Sequence, residues 1–439
     1  MFFFFLFGII THTDCIDKSF LSTLTHKYLE ETTLKTVAVI AEFNPFHCGH
    51  QYFLQEVRKL SCADHILVLM SGDFVQRGEP AIWNKYIRTK HSLLGGADLV
   101  LELPLAFSCG SAQLFASGSI SILNQLNCID ELWFGSEAGD ISIFKEVSEI
   151  LSEESPEYSS KLKEALKKGV SFPKARLTAL LSDPRFKKLF ASANEAASFF
   201  SSPNNILGME YCLALKLCNS RILPQTLKRS GAGYHDTNLS GKFPSASGIR
   251  SALFDGNYHE IFSSMPVFFK ADPDSDSYLQ QCLSADDFSL LLKYRLLSET
   301  DHSLCVYSDI SPDLARRIKL LENEFHSFSQ FALLLKNKSI TYSRISRCLM
   351  HILLNIRSED TDLALSHDFV RLLGISNAGP LLKELKKSSS LRLVSTSKEL
   401  AALPYQKELF ASNLYASVFS QKYDTNYIND LQHKLTRID

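Results

Sequence analysis

No C-x-x-C pair occurs among the ten cysteines, which are scattered from Cys15 to Cys348, so neither a zinc cluster nor a disulfide framework has the spacing it needs. A reduced, cytoplasmic setting is the expectation. An excess of one charge is lacking as well. The formal net charge of -2 excludes a generally basic nucleic-acid binder but leaves room for a regional basic face. Long apolar runs are absent except at Met1 to Ile10, which is about half the length of a spanning helix and has no basic leader. The expectation is an extended start rather than a targeting signal, no membrane segment, and little contribution to the fold from residues 1–34. No internal repeat is apparent.

What the chain does have is apolar material. At 439 residues and 45% hydrophobic content it can build two or three real cores. From Thr36 onward, short apolar runs (TVAVIAE, HILVLM, DLVLEL, ELWFG) alternate with helical stretches starting near His50, Asn84 and Gly110. Continuous apolar strands separated by helices read as an α/β fold with a doubly wound parallel sheet, covered on both faces. Ligands of such sheets sit beyond the carboxyl ends of the strands. The polar clusters Asn44 to His50, Ser71 to Glu79 and Gly135 to Glu137 all fall there.

The charged stretch from Ile141 to Lys168 reads as solvated helix decorating this domain. ILPQTLKR, after the turn-like Ser201 to Asn205, reads as a strand rejoining the sheet. Beyond Pro266, leucine-rich amphipathic segments such as SRISRCLMHILLNI predict a mainly helical C-terminal region. The expected organisation is an extension over residues 1–34, an α/β domain over 35–265 and a mainly helical region over 266–439.

The chemistry concentrates at His47-Cys48-Gly49-His50, where the first strand gives way to a helix. Two imidazoles project from a turn whose glycine lets backbone approach a ligand, beside a helix start that favours phosphate oxygens. That geometry suits displacement at the α-phosphate of a nucleotide, where donors must follow the charge that grows on the transferring group. His47 and His50 are the catalytic candidates. A lone His at a turn is ordinarily structural, and Asn44-Pro45 is a common turn initiator, but H-x-G-H after Asn-Pro-Phe at a strand end outweighs both.

VAVIAEFNPFHCGHQYFL, MSGDFVQRGEPAIWNKYIRTKHSLLGGADLVLELP, FGSE, SPNNILGMEY and LKRSGAGYHD, in that order, resemble the tRNA(Met) cytidine acetate ligase family of the HxGH nucleotidyltransferase superfamily. The likeness runs from about Thr36 to Leu253 and continues weakly beyond. It implies activation of acetate with ATP to acetyl-adenylate, then acetyl transfer to N4 of the wobble cytidine of elongator tRNA(Met). Magnesium would be carried by the nucleotide, with no dedicated protein metal site.

The resemblance also implies an ATP site made of Ile40, Ala41, Glu42, Phe43, Asn44, Pro45, Phe46, His47, Cys48, Gly49, His50, Gln51, Tyr52 and Phe53, with Gly135, Asn204 or Asn205, and Arg229. Glycine permits close approach, an amide reads a base or ribose edge, and a guanidinium clamps phosphate. The alternative reading of either asparagine is a helix cap. Ser245, Ser247 and Arg250, at a serine-rich helix start, would grip the β- and γ-phosphates or simply cap the helix.

Other residues stay open between site and scaffold. Arg77 meets acetate or the acceptor base, or pairs with Glu79. Lys85 and Arg88, one helical turn apart, read by default as a solvated face. Glu102 ends a strand and either faces the crevice or does not. Tyr234-His235-Asp236 orients the acceptor amine or forms a turn. In the C-terminal region Arg344 and Arg347 are the clustered basic pair, expected to contact tRNA. The competing functions are an adenylyltransferase for a different carboxylate or small molecule, and a nucleotide- or RNA-binding protein without turnover. Intact His47 and His50 argue against the last.

Overall fold

The computed structural model describes residues 34–229, 245–404 and 406–438. Strands β1 (Thr36–Ala41) and β2 (His65–Ser71) alternate their side chains between two buried faces. Val37, Val39, Ile66, Val68 and Met70 enter one hydrophobic cluster, while Ala38, Leu67 and Leu69 enter another. Both faces are covered, which is why the sequence shows apolar runs rather than alternation. A short hairpin, β3 (Phe74–Val75) and β4 (Glu79–Pro80), precedes β5 (Leu99–Leu103), β6 (Glu131–Ser136) and β7 (Leu223–Lys228).

The main sheet runs β10-β8-β5-β2-β1-β6-β7, where β8 is Phe369–Ser376 and β10 is Thr436–Ile438. From β2 back through β1 to β6 every pairing is parallel, as are β2 with β5 and β6 with β7. The chain moves outward from β1 in one direction through β2 and β5, and in the other through β6 and β7. The crevice between the carboxyl ends of β1 and β6 is therefore the topological switch point.

Among the helices that bear on the site are α1 (Cys48–Ser61), α2 (Lys85–Leu94), α3 (Ala112–Leu126), α4 (Pro203–Leu217), α5 (Ala246–Phe254) and α6 (Tyr342–Leu354). The charged stretch after β6 forms helices Ile141–Glu153 and Pro156–Lys167. The first buries Phe144, Val147, Ile150 and Leu151, so it packs as well as decorates.

The region beyond Pro266 is mostly helical, and its cluster around Leu283, Phe288, Phe331, Leu349 and Tyr415 also takes in Phe74, Leu105 and Cys109 from the first part of the chain. It also returns three strands to the main sheet, which the leucine-rich helical reading does not include. β8 pairs antiparallel with β5, and β9 (Arg392–Val394) and β10 both pair with the other edge of β8. FVRLLGIS is a short apolar run among longer apolar helices, and only its distant partner β5 makes it a strand. Residues 1–33 and Tyr234-His235-Asp236 lie outside the described residues.

Candidate active site

β1 ends in a turn where Phe43 takes a left-handed φ of 48° and Asn44 Oδ1 accepts from the backbone N–H of Ile82 at 2.9 Å. The turn is held from below by Arg88, whose side chain is fully buried. Its guanidinium donates to the carbonyls of Glu42 (2.7 Å), Ser71 (3.0 Å) and Trp83 (3.0 Å), and also to Gly72. One side chain thus ties together the loops that leave β1 and β2. This corrects the solvated-face expectation.

Lys85 is likewise fully buried, 2.9 Å from Glu102 and 3.2 Å from Asp430. Glu102 is therefore committed to this ion cluster, with Arg371 as a further partner at 3.5 Å. The i,i+3 spacing was the same for a buried face as for a wet one. What decides is the burial of opposite charges that arrive from β5 and from near the C-terminus.

His47 is the N-cap of α1, its Nδ1 accepting from the N–H of Gly49 at 3.0 Å. A neutral imidazole that accepts at Nδ1 carries its proton on Nε2. That Nε2 is buried and has no protein partner, so it is a donor with an unmet requirement. The ring of His50 lies 3.9 Å away centroid to centroid, and its Nδ1 also finds no well-aligned partner. Burial, then Arg229 and Arg250, lowers the His47 pKa to about 3. Burial, then His47 and Arg229, holds His50 well below the ordinary histidine value, opposed by the Pro45 carbonyl. Both imidazoles are neutral, and His47 presents its Nε2 as a donor.

They open onto a cavity of about 770 Å³. Ile40, Ala41, Glu42, Phe43, Asn44, His47, Gly49, His50, Tyr52 and Phe53 line it, together with Gly135, Asn204, Arg229, Ser245, Ser247 and Arg250. Pro45, Phe46, Cys48, Gln51 and Asn205 do not line it. Phe46 is fully buried instead, against Phe43 and Phe268. At Gly135 a Cβ would come within 3.3 Å of the Arg229 side chain and 3.9 Å of Phe53. Glycine there leaves a flat strand end on which a ligand can lie.

The two asparagines divide their labour. Neither caps α4, whose N-cap is Ser202. Buried Asn205 accepts from the backbone N–H groups of Glu137 and Ala138, both at 3.0 Å, and so fixes the turn after β6. Asn204 donates to Glu137 Oε1 at 2.7 Å and faces the cavity. Ser245 does cap α5, accepting from Gly248 N–H at 3.0 Å. Arg250 donates to the Asn44 carbonyl and to Ser247 Oγ, at 2.7 and 3.3 Å.

Sequence reasoning missed two parts of the wall. The buried ion pair Arg176–Glu210 lines the cavity, with Arg176 coming from the helix Phe172–Leu180 and Glu210 from α4. Asp309 joins Arg344 and Arg347 there, so the C-terminal arginines border the same cavity as the H-x-G-H turn. No local pattern marks either pair, because each joins distant segments. Among the described residues no group of three or more His, Cys, Asp or Glu could hold a metal ion, and no helix is long and apolar enough to cross a membrane.

The family described as HIGH Nucleotidyl Transferase matches residues 34–430. A tRNA(Met) cytidine acetate ligase of Clostridium perfringens is 35% identical over 404 residues, covering 90% of this chain and 98% of that protein. One from Acetivibrio thermocellus is 37% identical over 371 residues, covering 82% and 88%. The crystal structure of apo Thermotoga maritima TmcAL superposes with a TM-score of 0.83 at 29% identity, over 92% of this chain and all of that one. A second crystal form of that protein, bound with alpha-thio ATP, superposes with a TM-score of 0.80.

Proposed function

Because the chain belongs to the HIGH nucleotidyl transferase family, and within it to the tRNA(Met) cytidine acetate ligases, we propose that it activates acetate with ATP and acetylates N4 of the wobble cytidine of elongator tRNA(Met). The observation that carries the reading is the unpartnered, buried Nε2 of His47, facing a cavity it shares with His50, Arg229 and Arg250. Such a site has donors without acceptors, which is what a nucleotide triphosphate supplies.

ATP lies with its base and ribose against Gly135 and Asn204, and its phosphates between the H-x-G-H turn and the start of α5. Ser245, Ser247, Arg229 and Arg250 take the β- and γ-phosphates, where a helix start and two guanidinium groups favour anionic oxygens. Magnesium arrives with the nucleotide. An acetate oxygen attacks the α-phosphorus, the bond to the bridging oxygen breaks, and diphosphate leaves. His47 and His50 donate to the oxygens on which charge grows. The N4 amine then attacks the acetyl carbon, AMP departs, and the cytidine keeps the acetyl group. Arg344 and Arg347 contact the tRNA at this end of the cavity. The reaction belongs to the cytoplasm, a setting supported by nine free thiols among the described residues.

Acetate-dependent exchange of labelled diphosphate into ATP tests the first half-reaction. We expect exchange with acetate in preference to longer carboxylates. ATP binding without exchange for any small carboxylate would sink this reading and leave a non-catalytic nucleotide binder.

A further inference from the structure

The cavity wall supplied by the C-terminal region carries charges that adenylation does not use. Asp309 takes a left-handed backbone conformation (φ 63°) and packs against α6. Its carbonyl accepts from Cys348 Sγ at 3.3 Å and Arg344 Nη2 at 3.4 Å. Its carboxylate is asymmetrically engaged. Oδ1 lies 2.9 Å from Arg344 Nη2, whereas Oδ2 lies 3.7 Å from Arg347 Nη2, too far for a hydrogen bond.

The Arg347 side chain is 11% exposed, and its Nε is buried without a partner. A guanidinium withdrawn this far from water with donors unspent is costly unless a ligand meets it. Arg347 and Asp309 thus present a donor group and an acceptor oxygen side by side, with a gap between them, on a cavity wall.

That wall is joined directly to the adenylation site. Gln76 N–H donates to Glu42 Oε1 at 2.9 Å, at the end of β1. Two residues on, the Gly78 carbonyl accepts from Ser346 Oγ at 2.8 Å, in α6. Arg77, between them, lines the same cavity and is close enough to feel both Glu42 and Arg250. Arg347 and Asp309 therefore share one cavity with the H-x-G-H turn, linked to it by one short loop.

We propose that Asp309 and Arg347 read the Watson–Crick edge of the cytosine that receives the acetyl group. This rests on the tRNA cytidine reading above. Cytosine offers an amine donor at N4 beside the acceptors N3 and O2. A carboxylate accepting from N4 and a guanidinium donating to N3 and O2 complement that edge. Uracil reverses the pattern, setting a carbonyl oxygen against the carboxylate and an N–H against the guanidinium. An unpaired anticodon base, splayed from its stack, exposes this edge. In transfer, N4 bonds to the acetyl carbon, the bond from that carbon to the adenylate phosphate oxygen breaks, and AMP leaves with its electron pair. The proton lost from N4 passes to the Asp309 carboxylate that already holds it.

The test uses the full chain and the variants Asp309→Asn, Arg347→Gln and Arg347→Lys. Three quantities are read: acetate-dependent diphosphate exchange, kcat/KM for acetyl transfer to a tRNA(Met) transcript, and inhibition by the same transcript with uridine at the wobble position. We expect exchange to persist while transfer falls about 10- to 100-fold in Asp309→Asn and Arg347→Gln. Asparagine can turn its amide towards either base, so the preference for cytidine over uridine transcript should collapse in Asp309→Asn. Should that variant fail to fold, the two Arg347 variants carry the test, with lysine restoring charge but not the two-pronged contact. Undiminished transfer in all variants overturns the proposal, as does reduced transfer with the base preference intact. A wild-type enzyme that exchanges diphosphate but acetylates no transcript overturns the tRNA reading and this proposal together.

Discussion

Arg250 donates from Nη1 to the carbonyl oxygen of Asn44 across 2.7 Å, joining the first turns of α5 to the turn that follows β1. The two segments are 206 residues apart in sequence and meet at the wall of the cavity. The contact makes the helix start part of the H-x-G-H site.

Arg250→Ala should therefore weaken ATP binding about 10- to 100-fold, the range for removing a hydrogen bond to a charged group. Calorimetric titration checks it, with Arg250→Lys expected to recover part of the loss. ATP affinity unchanged in the alanine variant would take the α5 start out of the phosphate site.

Asn204 and Asn205 should separate by phenotype. Asn205→Ala strands two backbone donors of the turn after β6 and should cost about 1–3 kcal/mol of stability in urea unfolding. Asn204→Ala, at a half-buried residue facing the cavity, should leave stability nearly unchanged and lower ATP affinity instead. The reverse assignment would be contradicted by those two curves.

Gly78 holds a φ of +73°, and a Cβ there would stand 2.4 Å from the Arg347 backbone nitrogen. Gly78→Ala cannot be absorbed by a flexible side chain, so it should destabilise by about 1–3 kcal/mol and push α6 away from the loop. Acetyl transfer should fall more than diphosphate exchange, which compares the two half-reactions in one variant.

The buried histidines set an acid limit. His47 is held at about 3 by burial, then by Arg229 and Arg250. An unfolded histidine titrates near 6.5. Between those values the unfolded chain binds a proton that the folded chain refuses, so this contribution is full above pH about 6.5 and is lost as pH falls towards 3. His50, also lowered, acts in the same sense. His47→Gln should flatten the fall in unfolding free energy between pH about 6 and 4. An equally steep fall in the variant would remove His47 as its source.

The H-x-G-H side of the cavity was legible because its signals are local. The apolar runs of β1, β2, β5 and β6 are long enough to mark a covered parallel sheet, and the His47 to His50 turn sits at the first strand's end. What stayed hidden depends on distant partners. Lys85 has the sequence surroundings of a surface lysine, and only Glu102 and Asp430, the latter 345 residues away, make it a buried one. Arg88 serves backbone carbonyls, which no sequence displays. The C-terminal arginines were visible as a basic pair, but Asp309, which gives them direction, comes from another segment and carries no pattern of its own.

The most direct test of the central claim follows labelled acetate into a tRNA(Met) transcript with ATP and magnesium, for the wild type and for His50→Ala. The account predicts label on the wobble cytidine with wild type and a loss of at least about 100-fold in the variant, the scale for removing a transition-state donor. Label that persists at the wild-type rate in His50→Ala would contradict it and move the chemistry away from the H-x-G-H turn.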